Sequence, residues 1–250
     1  MKGPAFRRAI IVTIGEGRID AELEDDFHRF GVTLHHDGAV VTEAEGRAIR
    51  YPWTTCPEAP NALAALAGSP LVADPTFLYR HTDPRAQCTH LFELAVVALS
   101  QAGRAPGERV FEASASDPEA GPRRAELRID GALAAAWDLL GDVITAPAEY
   151  AGRAVNSLTS QGLSTLDPET ALHMLILRRV ALTARGRHFD VDAYATAAAM
   201  GRSPQCYSLQ PENAVRGARV LGSHLDWPTR HTLIDALRGS TRAKPEDGLT

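Results

Sequence analysis

The chain has 250 residues, 44% of them hydrophobic and 23% charged, enough to build one large domain or two small ones around a real core. Its net charge of −5 gives no reason to expect a nucleic-acid partner. It also lacks the run of roughly 18 apolar residues that a membrane span needs. Lys2 and Lys244 are the only lysines, so 24 of the 26 basic residues are arginines. A catalytic lysine has to be buried to lower its pKa. Two lysines in terminal tails therefore argue against Schiff-base, pyridoxal-phosphate and lysine P-loop chemistry. No GxGxxG, GxSxG, HExxH or CxxC motif occurs, and no cofactor is expected. The first eight residues lack the apolar stretch of a signal peptide. An odd count of three cysteines suits a reducing cytoplasm better than a disulfide framework.

The first fifty residues read as antiparallel strands. Ile10, Val12 and Ile14 alternate, Gly15-Glu16-Gly17 turns, and Ile19, Ala21 and Leu23 alternate again. His28, Phe30, Val32 and Leu34 share one face of a third run. Asp37-Gly38 supplies the positive φ of a tight hairpin, and residues 39–49 return.

Helical signals follow. Thr54-Thr55-Cys56-Pro57-Glu58 predicts a helix start, with a threonine cap and a first-turn proline, running to Ala67 and stopping at Gly68. Cys88-Thr89-His90-Leu91 opens a second helix ending near Gly103. Being apolar nearly all round, it is expected to be central and to pack on the first strands.

Past a Gly/Pro linker at 104–107, a second strand set is predicted at 109–115, 125–130, 133–140 and 143–146. Asp167-Pro168-Glu169 caps a long helix to Arg185, closed by Gly186. Shorter helices start near Pro211 and Pro228, and residues 240–250 read as a disordered tail. Strands, helices, strands, helices in that order point to an α+β fold of antiparallel strands with packed helices. Residues 1–239 would form one domain, or two lobes meeting near 103–122.

Four stretches carry a resemblance when taken together. They are Leu23-Glu24-Asp25-Asp26-Phe27-His28-Arg29-Phe30, Tyr51-Pro52-Trp53-Thr54-Thr55-Cys56-Pro57, Gln87-Cys88-Thr89-His90-Leu91-Phe92-Glu93-Leu94 and Cys206-Tyr207-Ser208-Leu209-Gln210-Pro211. In this order the chain resembles the family called domain of unknown function 2889, over about residues 20–220. Ser208-Leu209 departs from that family's pattern, which more often has an aromatic there. The resemblance implies a small bacterial protein and, loosely, catabolism of phenylpropanoid-like aromatic compounds. It implies no catalytic residues.

Those come from the side chains themselves. His90 and Glu93, three apart on a helix, share a face, and a carboxylate there would hold the histidine as a general base. The bland reading is a structural polar pair. Asp26 and His28, two apart on a strand, point the same way and would form a second acid/base pair, or else a solvated strand start. Cys56 and Cys88 sit at predicted helix N-termini, where the helix dipole lowers a thiol pKa. With His90 and Cys206 they would make a zinc site of three sulfurs and one nitrogen. Their wide spacing favours the alternative that they are small, inert fillers, and no bound metal is expected. Trp53 and Tyr207 would line a slot for a flat aromatic ligand, and Arg153 and Arg202 would hold a carboxylate.

These readings combine into one expectation. The protein is a cytoplasmic, cofactor-independent lyase that cleaves a C–C bond, releasing formaldehyde or carbon dioxide, in a lignin-derived or phenylpropanoid-like phenol. Its partner is then a small aromatic substrate, with no nucleic acid and no membrane, and a homodimer is compatible with it. Catalysis falls to His90, Glu93, Asp26 and His28, and binding to Trp53, Tyr207, Cys56 and Cys88. The alternative is a non-catalytic metal- or small-ligand-binding protein that uses Cys56, Cys88, His90 and Cys206.

Overall fold

The structure, a computed structural model, describes residues 5–117, 122–202 and 204–225. Four strands open the chain: β1 (Ala5–Gly15), β2 (Arg18–Asp25), β3 (Arg29–His36) and β4 (Val41–Arg50). After α1 (Phe77–His81) and α2 (Thr89–Leu99) come β5 (Gly107–Ser116), β6 (Arg123–Ile129), β7 (Ala132–Leu140) and β8 (Val143–Ala146). Then follow α3 (Ser160–Leu163), α4 (Pro168–Thr183) and α5 (Pro211–Ala214).

The expected α+β arrangement of alternating strand and helix blocks is corrected by the strand pairing. Both strand sets belong to one eight-stranded antiparallel sheet, in the order β4-β3-β2-β1-β5-β6-β7-β8. Among the described residues only α2 and α4 of the α-helices exceed five residues, so the described fold is dominated by its sheet. The physical reason lies in β1. Its Ala9-Ile10-Ile11-Val12 run is buried throughout, and it pairs with β2 on one side and β5 on the other. Local periodicity reveals a strand but not a partner some hundred residues away.

Registers place Ile10 opposite Leu23 and Val12 opposite Ala21, with Phe30 and Val32 next in line on β3. Against this face lies α2, whose residues from Leu91 to Leu99 are all buried. The helix therefore packs on the N-terminal strands, as its apolar composition requires. The longer α4 covers β5, β6 and β7, and Asp167 caps it by accepting the Thr170 N–H at 2.9 Å.

Some local expectations shift. The segment Cys56–Leu66 is 3-10 rather than α-helical, with Pro60 inside it, where a proline offers no N–H. It packs on β4 at Gly46, where a Cβ would stand 2.8 Å from Leu63 Cδ1. Gly186 is not a left-handed cap. A Cβ there would meet Phe27 Cζ at 2.9 Å, so the glycine makes room for a ring. The helix expected at Pro228 and the tail 240–250 lie outside the described residues. Among the described residues no helix is long and apolar enough to cross a membrane.

Candidate functional site

The site begins with a cross-strand pair. The β1–β2 register sets Arg8 directly opposite Asp25, and the guanidinium donates to Asp25 Oδ2 at 2.7 and 3.1 Å. Beyond Asp25 the chain turns. Asp25 Oδ1 accepts the backbone N–H groups of Phe27 and His28, each at 2.9 Å, and faces His28 Nδ1 at 3.0 Å. Because α2 lies over β2 and β3, it sets His90 on His28. The two imidazoles stack with centroids 3.8 Å apart and planes 28° apart. Phe30 flanks both rings.

The charges explain the protonation states. Burial alone would raise the Asp25 carboxyl, but positive charge on His28 and Arg8 outweighs it and holds the group well below the usual range. Burial, aided by the charges of His28 and Arg8, pushes His90 well below an ordinary histidine. His90 is thus a neutral imidazole at pH 7. Its Nε2 is shielded and has no hydrogen-bond partner among the described residues.

Two expected pairings are replaced. Glu93 does not hold His90. It bonds Arg8 at 2.8 Å and lies 3.3 Å from Arg179 on α4, locking α2 to β1. Burial pushes its carboxyl up against the pull of these arginines. The shared helix face was legible, but Arg8 competes for the carboxylate and wins by charge. Nor does Asp26 pair with His28: it is buried against Arg187 at 2.6 Å, and Arg187 also holds Asp117. Strand β2 ends at Asp25, so the period-2 argument does not extend to His28, and the turn returns that ring to Asp25 instead.

A cavity of about 600 Å³ opens beside the histidine pair. Its wall includes His28, Trp53, Cys56, Cys88, His90 and Tyr207, so six of the eight expected site residues meet there and Glu93 and Asp26 do not. Phe27, Phe30, Phe189 and Met200 add apolar surface. Tyr207 donates its hydroxyl to Glu58 at 3.2 Å. Ser208, noted above as a departure from the resembled family's pattern, meets Cys56 Sγ at 3.2 Å. Arg202 lines the cavity, whereas Arg153 lies over Tyr150 elsewhere.

The thiols are not activated by their helix starts. Burial pushes Cys56 and Cys88 up to about 12, and Cys206 upward as well. The first turn of 3-10 structure after Cys56 supplies little dipole, and desolvation prevails at Cys88. Although Cys206 joins Cys56, Cys88 and His90 on the wall, the four do not form a close ligand cluster among the described residues. Asp25, His28 and His90 do come close, their ligand atoms within 4.8 Å of one another. A metal fits this trio poorly. Asp25 Oδ1 already accepts two N–H groups, and lone pairs in two stacked rings run side by side rather than converge.

Sequence reasoning missed Arg8 and Asp25. The Arg7-Arg8 pair at the head of an apolar strand was the available signal: neighbours on a strand face opposite ways, so one of the two is turned inward, and a buried charge demands a partner.

No family model matches the chain, and no curated protein matches it. Among solved structures it resembles one titled "Crystal structure of a Viral Glycoprotein", at 12% identity and a TM-score of 0.25. That match covers 75% of this chain and 55% of the other, so the chain spans about half the length of that structure. A likeness this slight carries no argument about function.

Proposed function

We propose that the cavity is the active site of a cofactor-independent lyase that cleaves a C–C bond in a phenolic, phenylpropanoid-like or lignin-derived compound, in a cytoplasmic setting. The observation that carries this reading is the stacked His28–His90 pair, held by buried Asp25 and opening on an aromatic-lined cavity. Asp25 holds His28 through Nδ1, and the positive charge on His28 that depresses Asp25 makes it the acid of the pair. His90 is neutral and its Nε2 is unpartnered. A proton donor and a neutral base therefore stand at one wall.

A para-hydroxyaryl substrate supplies the electron sink that a lysine would otherwise provide. Loss of a benzylic leaving group from its phenolate gives a quinone methide. His90 takes the proton of a neighbouring hydroxymethyl group. The C–C bond breaks, formaldehyde leaves, and the electron pair forms a side-chain double bond while the ring regains its phenolate. A carboxylate in the same place would leave as carbon dioxide. His28 is the second acid/base group, and Trp53 and Tyr207 line the slot. The resemblance to the domain of unknown function 2889 family supports the same substrate class.

The test is a screen of phenolic aromatics by thermal shift, followed by product analysis of the hits. An active compound whose turnover survives His90→Ala unchanged would overturn the reading. The alternative, a non-catalytic binder, predicts a hit that binds at the cavity and is recovered intact. Metal analysis of the purified protein checks its metal-binding form.

A further inference from the structure

The cavity wall is charged in the opposite sense to the chain. Acidic residues outnumber basic ones overall, giving −5, yet among the described residues the lining includes Arg179, Arg185 and Arg202 and no aspartate or glutamate. Two of these guanidiniums are already answered: Arg179 lies 3.3 Å from Glu93, and Arg185 pairs with Asp142. Arg202 has no carboxylate within 4.0 Å among the described residues. Its guanidinium lies 4.6 Å from the centroid of the Phe189 ring, and Phe189 is itself 45% exposed at the cavity. Stacking on a ring fixes the plane of a guanidinium and leaves its edge donors free for a bidentate acceptor. Arg202 and Phe189 are both exposed, so an incoming acceptor reaches the guanidinium edge directly.

We infer that the ligand of this cavity is an aromatic carboxylate, its carboxylate gripped by Arg202 on the Phe189 platform and its ring inside the cavity. The inference rests on the cavity being the ligand site and deepens that reading by naming the anionic group. A carboxylate remote from the reacting bond would act as the handle that orients the ring toward the His28–His90 wall. Neutral phenols would lack that handle.

The experiment compares 4-hydroxycinnamate with its methyl ester by isothermal titration calorimetry on the full chain. The expected result is that the acid binds at least ~10-fold more tightly than the ester, about the value of one charge-assisted pair. Arg202→Gln removes that preference, bringing the acid's affinity to that of the ester. Arg153→Gln, away from the cavity, changes neither. Equal binding of acid and ester overturns the inference, as does a preference that survives Arg202→Gln, or the absence of binding by both probes. The lyase reading fails separately, by turnover that survives loss of His90. Circular dichroism confirms that the variants are folded.

Discussion

Glu93 lies one helical turn from His90, yet it turns its carboxylate to Arg8, 2.8 Å away on the central strand. Arg8 also takes Asp25, so one guanidinium joins β1, β2 and α2, and Asp25 in turn holds His28. The cavity wall and the fold thus share a buried charge network. The consequences differ sharply from one member to the next.

Removing Arg8 should unfold more than it inactivates. Arg8→Met strips Asp25 and Glu93 of the buried cation they share and leaves only His28 and Arg179 beside them; breaking a buried pair in this way costs about 3–5 kcal/mol. The expected outcome is a large fall in the urea midpoint with an unchanged m-value. An unfolding free energy within about 1 kcal/mol of the parent would show that the network does not support the fold.

At the cavity the order reverses. His90→Ala should lower turnover of an active phenol by about 100-fold or more, with less loss of thermal stability than Arg8→Met, because its Nε2 holds no hydrogen bond among the described residues. Asp25→Asn should reduce kcat through the orientation of His28, and Glu93→Gln should act mainly on stability. Steady-state kinetics beside melting curves separates these effects.

Stability should fall as pH drops below about 6.5, the ordinary histidine value. A folded pKa below the unfolded one means that the unfolded chain binds more protons in that window, so stability rises with pH there. Burial lowers both His90 and His173, and each contributes. Melting temperature measured from pH 8 to 5 should show this slope, flattened in His90→Gln and further in the double variant with His173→Gln. Asp25, also depressed, acts with the same sign in a lower window, below about pH 4. A slope unchanged by both substitutions would refute the assignment.

The cysteines should resist labelling. With Cys56 and Cys88 raised to about 12, almost no thiolate exists at pH 8. Iodoacetamide should modify them far more slowly in the native protein than in urea, with the half-buried Cys206 reacting first. Peptide mass spectrometry resolves the three sites. Rapid native labelling of Cys88 would restore the activated-thiol reading.

Much of the site was legible because its residues are anomalies in otherwise apolar surroundings. His90 on an apolar helix, and Trp53 and Tyr207 beside the helix-start motifs, could be placed from the pattern alone. The partnerships could not. The choice of Asp25 over Asp26 depends on where β2 ends, and Glu93's preference for Arg8 depends on a register between strands and a helix some eighty residues apart. In the same way, Ala125, Leu127 and Ile129 announced a strand but not that β6 would join the sheet begun at Ala5.

The central position of β1 sets an order on folding. Strands β2, β3 and β4 can assemble on β1 as successive local hairpins, while its other edge must wait for β5, which begins at Gly107. Until then a newly made chain presents Ala9-Ile10-Ile11-Val12 as an open, apolar edge, the kind of template on which other chains aggregate. Closing it requires a contact that is distant in sequence, which is slow. The step that completes the sheet is therefore also the one that most exposes the nascent protein to misassembly.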